Sequence, residues 1–215
     1  AGTVGTAGTP VTGAVAGLNN ANAPWYIIGT GTEFRTQQDH AKLKLAYDLS
    51  PTLRASYTLG VWQNTSEGRP RSYLQTATGS PVTSGVINID GRSFSALTGP
   101  GSVLTGADFA LTNESLTHAM HGLSVKSNTK GVFDWELSAS LYDYGTDLKR
   151  QNGSANNLPT AVQGGAGTIA DGRGTGWQTL ALKGIWRPEG IRGAHQVDFG
   201  VQQDHYELRY RTSSI

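Results

Sequence analysis

Chemistry in this chain has few residues to start from. His118 and His121 stand three apart. On a strand that spacing turns them to opposite faces, so no shared metal site is expected. His205 follows Asp204 with no further ligand at a useful spacing. Asp134 and Glu136 share a strand face, as the two carboxylates of a glycosidase would. Acids on a polar strand face near a turn account for them more simply. The stretch GGAGTIADGRGTG from Gly164 has the glycines of a phosphate cradle, but no buried strand precedes it and no helix follows. It reads as a loop. No G-x-S-x-G elbow occurs, and no Ser, His and Asp set has a reason to converge. The expectation is a protein that is not an enzyme, with no catalytic residue, no metal and no cofactor.

Ligand capture is the chemistry left. Arg69, Arg71 and Tyr73 fall in one long polar connection, and Tyr142, Tyr144 and Trp177 fall near the ends of strand-like runs. Guanidinium groups and aromatic rings suit anionic, catecholate-like or aromatic ligands.

The composition limits what can hold such residues. The chain has 29 Gly in 215 residues, 15% charged and 37% hydrophobic residues, and no Cys. Zero Cys removes disulfide frameworks, thiolate metal sites and Cys nucleophiles together. With 17 Lys and Arg against 16 Asp and Glu and no basic block, no nucleic-acid partner is expected. No apolar run approaches the roughly 18 residues of a membrane-spanning helix. A membrane β-barrel leaves no such run, because its strands are apolar on one face only.

Period-two alternation supplies the elements. In AKLKLAYDL, Ala41, Leu43, Leu45, Tyr47 and Leu49 share one face, with Lys42, Lys44 and Asp48 on the other. Ser50, Pro51 and Thr52 make a turn, since proline donates no hydrogen bond and fixes its own φ. Alternation resumes through Leu53, Ala55, Tyr57, Leu59 and Val61. A second hairpin turns at Ser127–Gly131 and continues through Phe133, Trp135, Leu137, Ala139 and Leu141. A third runs through Leu180, Leu182, Gly184 and Trp186, turns at Pro188-Glu189-Gly190, and returns through Val197, Phe199 and Val201. Its last run shows a register slip near Gln203, as a bulge would produce. The alternating runs are about ten residues long, which at about 3.3 Å per residue and a tilt near 40° crosses roughly 25 Å.

Short turns therefore alternate with long polar stretches, from about Thr65 to Leu116 and from Asp147 to Thr175. Compact domains rarely carry such loops, whereas barrels with a periplasmic and an exterior side do. Tyr47, Trp135, Trp186 and Phe199 lie on the apolar face near the short turns, where an aromatic girdle would meet a bilayer interface. A soluble β-sandwich is the competing reading, because its strands share the same period and large aromatics fill any β core.

The segments KLKLAYDLSPTLRASYTLGVWQN, GVFDWELSASLYDYGTDLKRQ, GTGWQTLALKGIWRPEG and HQVDFGVQQDHYELRY resemble the barrel hairpins of TonB-dependent receptors. These are outer-membrane transporters for siderophores and similar scarce nutrients. The resemblance runs from about Gln37 to Arg211 as an ordered set of segments. It implies an all-β antiparallel transmembrane barrel of about 22 strands with a plug, in the outer membrane of a Gram-negative cell. The implied partners are the lipid bilayer, the TonB complex acting through the plug, and a small extracellular ligand such as a ferric siderophore. About six strands in three hairpins cannot close such a barrel, and no plug, coupling box or terminal aromatic strand is found. The expected organisation is an internal fragment, with residues 1–24 an extracellular loop or disordered segment and 25–215 a partial β-barrel domain. A passive porin or other outer-membrane channel, and a soluble sandwich for binding or adhesion, are the alternatives.

Overall fold

The computed structural model describes residues 2–94, 109–152 and 166–214. Four short strands come first: β1 (Thr3–Val4), β2 (Thr9–Pro10), β3 (Val15–Leu18) and β4 (Pro24–Ile27). The long strands β5 (Glu33–Ser50) and β6 (Leu53–Arg69) follow, then the short β7 (Ile87–Ile89) and β8 (Arg92–Phe94). The chain continues with β9 (Thr112–Ser127), β10 (Phe133–Asn152), β11 (Gly167–Asp171), β12 (Gly176–Trp186), β13 (Val197–Glu207) and β14 (Arg211–Ser214). The fold is all-β, and no α-helix occurs among the described residues.

The main sheet is antiparallel, in the order β13-β12-β10-β9-β6-β5. Strand β11 extends it by pairing with the far end of β10, and β14 pairs with β11. Three hairpins build the sheet, turning at Pro51–Thr52, at 128–132 and at 187–196. The sheet is open, with β5 and β13 at its edges and no closure into a barrel. Lys130 at φ 56° and Gly190 at φ 73° make the left-handed steps of the second and third turns. Glycine adopts that region freely, whereas a lysine there is uncommon.

Register places the apolar residues in one continuous band. Leu45 lies opposite Tyr57, Tyr57 opposite Leu123, Leu123 opposite Ala139, and Ala139 opposite Leu180. Tyr47, Ala55, Val125, Leu137, Leu182 and Val201 form the next row toward the turns. No second layer of described residues covers this band. Leu45 is 56% exposed, Leu180 53% and Val201 73%, where a sandwich would bury all three.

The long strands exceed the expected length. Strands β5, β6, β9 and β10 have 18, 17, 16 and 20 residues. At about 3.3 Å per residue and a tilt near 40°, 18 residues project to roughly 45 Å, well past the roughly 25 Å of a barrel's apolar band. The first long polar stretch thus yields residues to β6 up to Arg69 and to β9 from Thr112. The second yields residues to β10 up to Asn152 and to β11. Part of the Gly-rich stretch read as a loop is therefore strand. Residues 95–108 and 153–165 of these two connections lie outside the described residues.

Two further readings change. The expected slip near Gln203 is absent, because β13 pairs with β12 without interruption from Val197 to Glu207. What ends near Gln203 is the apolar band, so the outward side chains become polar while the register holds. The irregularities fall instead between Asp48 and Ser50 and between Tyr144 and Thr146. The second inserts Gly145, so even-numbered residues face the polar side before it and odd-numbered ones after it.

The segment 1–24, read as having no strand, contributes β1 and β2 to a small sheet of order β1-β8-β7-β2, in which β2 and β7 pair in parallel. It also contributes β3, paired with β4. Val11, Leu74, Ile87, Ile89 and Phe109 form a buried cluster, against which Tyr26, Ile28, Val82 and Phe94 pack. Tyr26 meets the Phe94 ring edge-on at 5.6 Å. The apolar core of the described residues is here, in a module joined to the far ends of the long strands.

Candidate ligand-facing site

The face of the main sheet opposite the apolar band is polar and arranged in rows. Nearest the turns it is a lattice of charges. Arg54 Nε lies 2.6 Å from Asp48 Oδ1, and Lys183 Nζ lies 3.9 Å from Asp198 Oδ2. Asp134 is buried, accepting from Arg187 Nη1 at 2.8 Å, Ser127 Oγ at 3.0 Å and the Thr129 amide at 2.7 Å. These partners tie the second and third turns together. Asp134 and Glu136 therefore have structural partners, with Glu136 accepting from Ser124 Oγ at 3.0 Å.

Farther from the turns the same face is lined by small residues: Ser56, Thr58 and Gly60 on β6, Ser124 and Gly122 on β9, and Ser138 and Ser140 on β10. Beyond them stands a group of rings. Tyr142 stacks on Trp177 with centroids 4.5 Å apart and planes 7° from parallel. His118 stacks on Tyr144 at 3.8 Å and 9°, and Trp62 approaches His118 at 5.1 Å. The Tyr142 hydroxyl and His118 Nδ1 are 3.2 Å apart, within hydrogen-bond reach. His118 Nε2 is buried and makes no hydrogen bond, although Asp147 Oδ2 lies 3.4 Å away. That approach does not meet hydrogen-bond geometry.

Sequence spacing explains why these rings meet. His118, Tyr144 and Trp62 occupy one cross-strand row, and Met120, Tyr142 and Trp177 occupy the next. Facing residues in adjacent rows are close enough for large rings to touch. A cleft of about 480 Å³ opens beside them, lined by His40, Gly60, Trp62, His118, Met120 and Tyr142.

Of the expected ligand contacts, Tyr142, Tyr144 and Trp177 thus come together. Arg69, Arg71 and Tyr73 do not join them. Arg69 is seven residues beyond Trp62 on β6, roughly 23 Å along the strand and on the other face. It pairs with Glu67 at 2.9 Å. Arg71 and Tyr73 belong to the small module, where their amides donate to Thr30 Oγ1 and the Ile28 carbonyl.

Trp62 and His118 are the residues that sequence reasoning missed. Trp62 follows the apolar run that ends at Val61 and takes the opposite parity, which is a readable signal. His118, which the sequence offers only as one of two histidines unable to share a metal, is buried in the middle of β9. His121 faces the apolar side instead and meets the Tyr57 hydroxyl at 2.7 Å. No cluster of metal-ligating side chains occurs among the described residues.

The girdle residues share the apolar face near the turns. Trp135, Gly184 and Phe199 form one row, Phe133 and Trp186 the next, and Tyr47 the row before. Turn tips are staggered in the same direction, so the aromatic line follows them. Phe199 lies over Gly184, where an added Cβ would meet the ring at 2.5 Å. Phe133 joins the set, 6.3 Å from Phe199.

No protein-family model, no curated protein and no solved structure matches this chain.

Proposed function

We propose that this chain is part of the wall of a TonB-dependent outer-membrane receptor, which takes up a siderophore or similar small nutrient. The carrying observation is the uncovered apolar band that crosses all six neighbouring strands, backed by a polar, ion-paired face. Leaving that much apolar surface in water is unfavourable at about 25 cal/mol per Å², so the band needs a lipid or a protein cover. The aromatic line near the short turns suits a bilayer interface, and the long strand ends suit a structure rising beyond it. Active uptake, as opposed to passive passage, rests on the resemblance of the hairpins.

This chain has no Cys of its own, so once any cysteine elsewhere in the full-length protein is replaced by serine, a direct test is open. Single cysteines at Leu45, Leu182 and Val201, or at Lys44, Ser138 and Gln202, would carry a fluorophore in the full-length protein within lipid vesicles. Quenching of the first set by lipid-borne nitroxides, and of the second by an aqueous quencher, is expected. Aqueous quenching of both sets would overturn the membrane assignment. Ligand uptake by cells that is abolished by a protonophore would support TonB coupling. Uptake insensitive to the protonophore would indicate a passive channel.

A further inference from the structure

Among the described residues, three cations on the polar face enter no ion pair: Lys126, in the charged row of Arg54 and Glu136 near the turns, and Lys42 and Lys44, which stand apart from that lattice. Lys42 and Lys44 stand two residues apart on β5, both facing the polar side and both exposed. Near the turns, Asp48, Asp134 and Asp198 have basic partners. None of the ion pairs among the described residues involves Lys42 or Lys44. The row through Lys44 continues as Thr58, Gly122, Ser140 and Thr179, and the nearest acid in it is Asp204 at the opposite edge of the sheet. Asp204 already accepts from Thr179 and Gln202.

The row through Lys42 supplies the complement. It continues as Gly60, Met120, Tyr142 and Trp177, so a cation and a stacked aromatic pair face each other across two strands of small or flexible side chains. Adjacent strands are about 4.8 Å apart, which puts the Lys42 and Tyr142 backbones roughly 14 Å from each other. The space between them is kept low by glycines. An added Cβ at Gly60 would sit 3.4 Å from Met120 Cε, and one at Gly122 would sit 3.8 Å from Thr58 Cβ. The cleft beside Gly60 reaches from His40 to Tyr142.

We infer that this trough binds a planar aromatic carboxylate, with the ring system against Tyr142, Met120 and Trp177 and the carboxylate at Lys42 and Lys44. The inference rests on the reading of this face as the water-filled side of the wall. Ring stacking on Trp and Tyr selects flat ligands, and two unpaired ammonium groups select anions. Thr58 and Ser140 offer hydroxyls along the floor. The site differs from the Arg69, Arg71 and Tyr73 set in position and in chemistry: it uses point-charge ammoniums within a strand, not guanidiniums at the end of β6 and in the connection after it.

The test uses the full-length protein in lipid vesicles, with 2-naphthoate as probe and neutral 2-naphthamide as its control, read by equilibrium dialysis. Naphthoate should bind about tenfold tighter than the amide, a difference typical of one desolvated charge contact. The double variant Lys42→Gln, Lys44→Gln should bring naphthoate down to the level of the amide and leave the amide unchanged, which also shows that the variant is folded. Trp177→Ala should weaken both probes. Equal binding of the two probes, no binding, or a double variant that keeps its preference would overturn the site. Thr58→Cys separates this failure from failure of the face assignment. Modification by a membrane-impermeant thiol reagent, slowed by naphthoate, supports both. Modification that naphthoate does not slow removes the site and keeps the water-filled face. Reaction only with a lipid-soluble reagent removes both.

Discussion

In the module around Leu74, apolar side chains turn toward one another; in the long sheet they turn away from the rest of the protein. Leu74 is fully buried, and Ile87, Ile89 and Phe109 are each 3% exposed. The strands β1, β2, β7 and β8 of this module are two or three residues long and would not hold together without that cluster. Leu43, Leu45 and Leu182 sit in strands of 11 to 18 residues and are about half exposed. The sheet instead buries polar groups: Asn64, Ser66, His118 and Asp134. One chain thus contains an ordinary buried apolar core and, in the sheet, the inverse arrangement, with apolar side chains outward and polar groups buried. The difference teaches that apolar content alone does not define an inside: whether another layer covers the face does.

The largest expected effect lies in the inverted region. Asp134→Ala leaves Arg187 unpaired at a 15% exposed side chain and strands two donors, so a loss of about 3–5 kcal/mol is expected. Denaturant titration of the protein in vesicles would read it, and a loss below about 1 kcal/mol would mean that the sheet's polar face is solvated at the turns. Leu74→Ala should cost about 2–5 kcal/mol in the module alone. Limited proteolysis should then cut within 70–94 while β9 to β13 stay protected. Cleavage throughout would show one cooperative unit and erase the contrast between the regions.

Leu182→Arg, in the middle of the band, should cost about 2–4 kcal/mol in a bilayer, as a charge on a lipid-facing strand position does. The neighbouring Ala181→Arg, on the polar face, should cost far less. Equal penalties for the two would break the assignment of faces. Phe199→Ala uncovers Gly184 and should cost about 1 kcal/mol. Adding Gly184→Ala should recover part of that loss, whereas Gly184→Ala alone should clash with the ring.

The smallest effect is acid sensitivity at the break between β11 and β12. The side-chain hydrogen bond from Arg173 holds the half-buried Asp171 carboxyl below its ordinary range. A lowered folded value means that this contact contributes above the ordinary carboxylate range and is lost as pH falls through the lowered value. The protection of amides near Gly172, taken relative to their intrinsic exchange rates, should therefore fall in acid, and Asp171→Asn should remove that pH dependence of protection. An unchanged pH profile in the variant would exclude the contact as its cause.

The hairpins were legible because a half-exposed strand repeats every second residue, and Pro51 and Gly190 punctuate the repeats. Strand ends were not legible. Beyond Arg54 to Val61 on β6, the outward residues Gln63, Thr65 and Glu67 are polar, and alternation between two polar faces has no contrast. The same loss of contrast made the unbroken β13 resemble a slip at Gln203. The module escaped notice because its strands are too short to show a period, and its core joins Val11 to Leu74 and Phe109 across long separations.

By itself, the sequence determined which residues share a face within each hairpin, the two kinds of connection, and the absence of thiol chemistry. Side-chain alternation is local, so neighbouring residues suffice to establish it. Only the tertiary structure decided that Trp62, His118, Tyr142, Tyr144 and Trp177 meet, that Lys42 faces them, and that Arg69 and Arg71 stand elsewhere. Cross-strand register sets those proximities, and it depends on turn lengths and on the extra residue at Gly145, which displace whole rows at once.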